Sequence, residues 1–319
     1  VSFFWIAGFN QGILPFFPKL NPEQKGTFIF DTFLLYCGIS IFVFVLLLIF
    51  ETQLTQLLVG QNTLPYYRWY AVYLLFFMPS FLVDYFYLIH DFPKKILSFG
   101  LTIFTLQVLV IAVPIFAGWG LLWSIYGLVA LGIFRFLWLV RVVFEFGKME
   151  WNSEMMSNYL HLSFPLILYA LLAGFPAIFD SWVVGWFYDD KTTFAIFRYG
   201  ARELPLTIAL ASALSAVMIP VLVQQPQLGL QTIRSKSLRL YHFLFPLSIA
   251  LMLTSEWWFP KVFDLEFLES AAIFNVFLLV IISRLIFPQT ILIALGKTKI
   301  IFYVAVVETI LNAVLSLLL

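Results

Sequence analysis

Ten apolar segments follow one another along this chain, at approximately 1–18, 28–50, 66–90, 95–117, 119–146, 158–188, 193–223, 237–257, 266–294 and 299–319. A helix of about 20 apolar residues crosses the hydrocarbon core of a bilayer. Lipid cannot satisfy free backbone N–H and C=O groups, and runs this long do not suit barrel strands, so each segment is expected to be helical. Composition agrees: 62% of residues are apolar and mean hydropathy is +0.99, against about 45–50% apolar in a soluble domain. The sequence therefore reads as an all-α, polytopic transmembrane protein.

Several function classes drop out. A net charge of +1 implies no nucleic-acid partner. Cys37 is the only cysteine, so no intrachain disulfide and no thiolate metal site can form. His90, His161 and His242 are isolated near predicted helix ends and read as interfacial residues. Gly296-Lys297-Thr298 lacks the earlier glycine of a phosphate-binding loop and falls in a tight turn. There is no HExxH and no glycine-rich dinucleotide motif. The expectation is no catalytic site, no metal and no cofactor, hence not an enzyme. Val1 lies inside an apolar segment with no initiator methionine and no signal peptide, so the chain reads as a fragment.

Loop charge gives an orientation. One alternate set of connections carries Lys19, Lys25, Lys94, Lys95, Lys148, Arg234, Lys236, Arg239, Lys297 and Lys299; the other carries Arg68, Lys191 and Lys261. The lysine- and arginine-rich set is assigned to the cytoplasm. The opposite set holds Tyr66, Tyr67, Trp69, Trp119, Trp123, Trp186, Trp257 and Trp258, an outer interfacial belt that needs no function.

The polar stretch FEFGKMEWNSEMMSN, 144–158, falls near mid-chain. It separates an expected lobe over 1–146 from one over 158–319, with 147–157 as a cytoplasmic linker. Proline landmarks repeat across it. Pro18 and Pro220 are 202 residues apart, and Pro79 and Pro288 are 209 apart. The similar lag points to a parallel duplication, whose halves enclose a cavity about an axis along the membrane normal. Complete repeats would need one helix before Val1 and one after Leu319, giving twelve or more in all.

Charges inside apolar helices are costly and mark function or a fixed partner. Arg135 and Arg284 lie within spans, with Asp84 and Glu308 at similar predicted depth, and Asp180 lies towards the outside. The acids read either as neutralising partners or as a coupling site for a proton or Na⁺. Arg198 and Arg202 are spaced i, i+4 on one helix face near the outer interface. That pair suits an anion, and equally suits snorkelling to lipid phosphates. Gln107, Asn275 and Asn312 can join such a network or only bridge helices. Pro15, Pro79, Pro114, Pro165, Pro176, Pro205, Pro220 and Pro288 interrupt the spans and can kink them.

The helix pair FPLILYALLAGFPAIFDSWVVGWF and FAIFRYGARELPLTIALASALSAVMIPVL, joined by the polar tip YDDKTT, resembles polysaccharide and O-antigen flippases of the multidrug/oligosaccharidyl-lipid/polysaccharide exporter superfamily. The similarity is strongest around Asp180, Tyr199, Gly200, Arg202, Glu203, Pro205 and Pro220. The resemblance implies a two-lobe exporter fold of which about ten spans are present, with a first and a last helix lacking. It implies alternating access in a multi-pass inner (cytoplasmic) membrane protein. The substrate implied is an oligosaccharide on a polyprenyl diphosphate, moved to the outer leaflet, with membrane lipid and a polysaccharide polymerase as candidate partners. Arg135 and Arg284 are then the expected phosphate contacts, with Arg198 and Arg202 receiving the ligand near the outside. A cation-coupled multidrug exporter of the same fold and a non-transporting scaffold remain as alternatives. Arginines at least as prominent as acids inside the spans favour the anionic substrate.

Overall fold

The computed structural model describes residues 4–59, 62–187 and 191–318. Its helices are α1 (Phe4–Phe16), α2 (Pro22–Ile49), α3 (Glu51–Val59), α4 (Tyr67–Phe77), α5 (Leu82–Ile89), α6 (Pro93–Phe116), α7 (Leu121–Phe146) and α8 (Ser153–Ala173). They continue with α9 (Phe175–Phe187), α10 (Lys191–Gly200), α11 (Pro205–Gln224), α12 (Pro226–Val262), α13 (Leu268–Leu278), α14 (Ile281–Arg284), α15 (Pro288–Ala294) and α16 (Thr298–Leu318). Among the described residues, nine helical stretches are long and apolar enough to cross a membrane, and there is no strand.

Proline starts many of these helices. Pro22, Pro93, Pro205, Pro226 and Pro288 each occupy the first helical turn, where the missing N–H costs nothing and φ is already set. Two of them, Pro205 and Pro288, therefore divide an expected continuous span in two. The stretch expected as one helix over 193–223 is α10 and α11 separated by non-helical residues 201–204. The stretch over 266–294 is α13, α14 and α15, with Phe287 at φ 59 immediately before Pro288. The segment 66–90 is likewise interrupted by a 3-10 turn over Pro79–Phe81. Both members of the Pro79 and Pro288 pair thus sit at helix interruptions.

Two further features depart from the expected layout. Residues 51–59 form a helix, α3, where only a connection was expected. Arg234, Lys236 and Arg239 lie within α12 rather than in a loop. That helix has 37 residues and is roughly 55 Å long at 1.5 Å per residue, well beyond a hydrocarbon core of about 30 Å.

The chain divides into two compact units, residues 19–160 and residues 1–18 with 161–319. The first 18 residues thus pack with the C-terminal part, whereas the sequence had placed them with 19–146. Here α1 rests on α11 and α15. Gly8 makes a close approach possible: a Cβ there would lie 2.5 Å from the backbone N and Cα of Ile167.

In the unit 19–160, α7 packs on α4 and α6, and α2 on α4. Residues 147–152 are fastened to the start of α2. Lys148 N donates to Gly26 O at 3.0 Å, Thr27 Oγ1 donates to Glu150 Oε2 at 3.4 Å, and Asn152 N donates to the fully buried Asp31 at Oδ2, 3.1 Å. Asn152 Oδ1 in turn accepts from Met155 N at 2.9 Å, a side-chain cap on the first turn of α8. Trp69, Tyr126, Trp123 and Trp119 form a chain of ring contacts at 4.9, 6.0 and 6.4 Å, gathering part of the expected aromatic belt.

Candidate functional site

In the unit holding 161–319, the interrupted helices face one another. The end of α14 leaves carbonyls that no continuing helix satisfies, and α12 supplies hydroxyls to one within it and to one just after it. Ser237 Oγ donates to Leu285 O at 2.5 Å, and the Tyr241 hydroxyl donates to Ile282 O. Ser215 and Thr290 share a 2.7 Å hydrogen bond that ties α11 to α15. On the other side, α10 is held against α13: Ser270 Oγ donates to Ile196 O at 2.8 Å. Gly200 ends α10 where any Cβ would lie 2.7 Å from Ser270 O.

Within this frame the broken segments meet through charge. Arg284, the last residue of α14, donates from Nε to Glu203 Oε2 at 2.7 Å and from Nη2 to Glu203 Oε1 at 2.5 Å. This is a two-pronged guanidinium–carboxylate fork, the geometry that arginine uses for planar anions. The Arg284 side chain is 52% exposed and that of Glu203 21%. The expected neutralising partner of Arg284 was Glu308; the hydrogen-bonded partner is Glu203, and Glu308 adds only a weaker, longer-range attraction. Glu203 was legible as part of the RELP stretch, but hydropathy gave no sign that the helix unwinds there and frees it to turn towards α14.

Arg198 lies in the last turn of α10, whereas Arg202 falls in the non-helical residues after it, so the pair does not share a helix face as the spacing had suggested; both are exposed. Arg198 sits over the Phe194 ring at 5.9 Å and Arg202 over Tyr199 at 5.6 Å. Arg202 Nε also donates to Arg198 O at 3.4 Å. Among the described residues no acid pairs with either.

Asp180 accepts a 2.6 Å hydrogen bond from Ser316 Oγ, joining α9 to α16. Glu308 and Asn312 share one face of α16 and line an open cavity of about 710 Å³ with Tyr303, Val307, Leu311 and Leu315. Asn312 Oδ1 is covered and has no hydrogen-bond partner among the described residues. The tip residues Tyr188, Asp189 and Asp190 lie outside the described residues.

Arg135 belongs to the other unit, and its surroundings are unlike those of Arg284. It is only 8% exposed. Its Nε donates to Ser80 Oγ at 3.0 Å, and its guanidinium lies 4.5, 5.7 and 5.8 Å from the rings of Phe77, Phe81 and Phe99. Asp84 acts on it electrostatically. Aromatic faces compensate a desolvated guanidinium, so this arginine is enclosed where the sequence had expected a cavity-lining contact equivalent to Arg284.

Outside the spans, His90 follows α5. Its ring stacks on Phe146 at 4.3 Å, and its Nδ1 donates to Phe86 O at 2.7 Å. Burial holds this imidazole below its ordinary range. The Phe86 carbonyl opposes that shift, Lys25 and Lys95 reinforce it, and Glu145 opposes it. Among the described residues, no group of three or more histidine, cysteine, aspartate or glutamate side chains is placed to hold a metal.

No family model and no curated protein sequence matches the chain. Among solved structures, a crystal structure of an aspartate-to-asparagine variant of the Vibrio cholerae MATE transporter VcmN matches with a TM-score of 0.75 at 14% identity, over 96% of this chain and 76% of that one. At that identity the likeness speaks to architecture alone, and the architecture is plain: the chain has the all-α, polytopic membrane fold seen in a MATE transporter structure.

Proposed function

We propose that this chain is a membrane transporter that moves polyprenyl-diphosphate-linked oligosaccharide from the cytoplasmic to the outer leaflet of the cytoplasmic membrane by alternating access. The observation that carries the proposal is Arg284, a half-exposed guanidinium at a helix interruption with fork geometry towards an anion. Discontinuous helices are where membrane transporters place their substrate groups. A diphosphate-sugar head cannot enter hydrocarbon unaided, and arginine replaces its hydration by charge-assisted hydrogen bonds. Arg198 and Arg202, exposed and without acidic partners among the described residues, are the proposed second contact. Arg135 enters the proposal as the cation that holds the interruption at Pro79 in its own unit. Asp84, Asp180 and Glu308 are the candidates for coupling to a proton or Na⁺. Membrane lipid and a polysaccharide polymerase are the proposed partners.

The test is flipping of lipid-linked oligosaccharide in reconstituted vesicles at equal protein level. Arg284→Ala abolishes it, and Arg284→Lys restores part, because lysine keeps the charge and loses the fork. Normal flipping by Arg284→Ala removes Arg284 as a substrate contact.

A second reading has its own observation. The α16 cavity sets one carboxylate, Glu308, and one unpartnered amide oxygen, Asn312 Oδ1, in an otherwise apolar wall. Such a wall suits an amphiphilic organic cation, as a multidrug exporter of this fold would carry. Efflux of a lipophilic cation that is lost in Glu308→Gln and kept in Arg284→Ala would favour it.

A further inference from the structure

Building on the diphosphate reading above, we propose that Glu203 is a built-in occupant of the Arg284 anion seat, and that it makes the seat selective for a diphosphate over the singly charged phosphodiesters of bulk lipid. Arg284 ends α14, three residues before α15 begins at Pro288, and Glu203 sits in the non-helical stretch 201–204. Neither end of the pair lies within a continuous helix, so either can move without unwinding one. The carboxylate holds the guanidinium edge through Nε and Nη2 at 2.7 and 2.5 Å. Two phosphate oxygens take the same edge in the same fork. Arginine carries five N–H donors; two serve Glu203, and among the described residues the others have no hydrogen bond.

Exposure sets the order of events. The cation is the open member of the pair, 52% exposed against 21% for the acid. An incoming anion meets the free donors first and then competes for the occupied edge. An ion pair with one exposed member is weakly held, so a stronger anion displaces it. The outcome turns on charge. A phospholipid phosphodiester brings one negative charge, as Glu203 does, and gains nothing by the exchange. A diphosphate brings more, and once seated it repels the released carboxylate, which keeps it out. Glu203 thus acts as a threshold: only a ligand more anionic than itself opens the pair.

The experiment uses the full chain purified in detergent. Binding of radiolabelled inorganic pyrophosphate is measured for the natural protein, Glu203→Gln, Glu203→Asp and Arg284→Gln, with phosphatidylglycerol micelles as competitor. Thermal unfolding verifies folding of each. Removing the occupant should tighten pyrophosphate binding by roughly five- to tenfold and let phosphatidylglycerol compete, which it does not do against the natural protein. Arg284→Gln should lose binding. Unchanged or weaker binding by Glu203→Gln, with Arg284→Gln still defective, overturns the occupant and leaves the anionic-substrate reading standing. Binding by Arg284→Gln equal to the natural protein removes both. If Glu203→Gln does not fold, Glu203→Asp decides. Its carboxylate is withdrawn by one methylene, so it should bind pyrophosphate more tightly, and unchanged binding overturns the proposal.

Discussion

Arg135 Nε donates to Ser80 Oγ at 3.0 Å, and Ser80 immediately follows Pro79, the residue at which the helical path of α4 breaks. A buried guanidinium thus braces a proline kink from the neighbouring helix α7. Arg135→Ala leaves Asp84 and Ser80 without that partner, and we expect a loss of about 3 kcal/mol. Thermal unfolding in detergent measures it. If Arg135→Ala is as stable as the natural protein yet loses flipping per folded molecule, Arg135 touches substrate instead of bracing the kink.

Gly8→Ala should lower the unfolding temperature, at a cost of about 1–3 kcal/mol for overpacking. The nearest atoms to the new methyl are the backbone N and Cα of Ile167, with Cγ1 next. Ile167→Ala should therefore fail to rescue it. Full rescue by that second change would show that the contact is between side chains.

His90 predicts a pH dependence with a definite sign. Burial against Phe92 and Phe146 lowers its pKa in the folded protein, so the fold favours neutral imidazole. The associated stability is fully present above the unfolded value of about 6.5 and is lost as pH falls through the lowered folded value. Melting temperatures between about pH 7 and pH 5 should drop less for His90→Gln than for the natural protein. Equal slopes would place the pH sensitivity elsewhere.

Orientation is testable in intact cells in a Cys37→Ser background. A cysteine at Lys236 should be protected from an impermeant thiol reagent, and one at Lys261 should react. Lys261 Nζ lies 3.7 Å from the centre of the Trp257 ring, in the aromatic set assigned to the outer interface. Labelling of Lys236→Cys from outside would invert the topology.

Hydropathy located the spans because long apolar runs answer to lipid, and the lipid requirement is strong. It could not show where a span is interrupted. Ala201 to Leu204 holds a charged pair that the long apolar runs on either side outweigh in a wide window, and the local signal of a break was Pro205 at a first helical turn behind that pair. The same blindness hid the Arg284–Glu203 fork, since pairing across 81 residues depends on two interruptions meeting in space. The cluster Arg234, Lys236 and Arg239 read as a loop because charge lowers hydropathy, although all three lie on a helix that outruns the membrane. Arg135 and Asp84 act on each other electrostatically, while the aromatic enclosure that separates Arg135 from Arg284 was invisible in a sequence so rich in phenylalanine.

The fastening of 147–152 onto α2 has a consequence for how the chain is made. Asp31 waits 121 residues for Asn152, so its buried carboxylate has no backbone donor from that strap while the intervening spans are being synthesised. An N-terminal half ended at Phe146 would leave Asp31 in that waiting state permanently, whereas one ended after Leu160 carries its own strap. Of two split versions expressed as separate pieces, the one cut after Leu160 should accumulate and the one cut after Phe146 should be degraded, so a split intended for reassembly belongs beyond the strap.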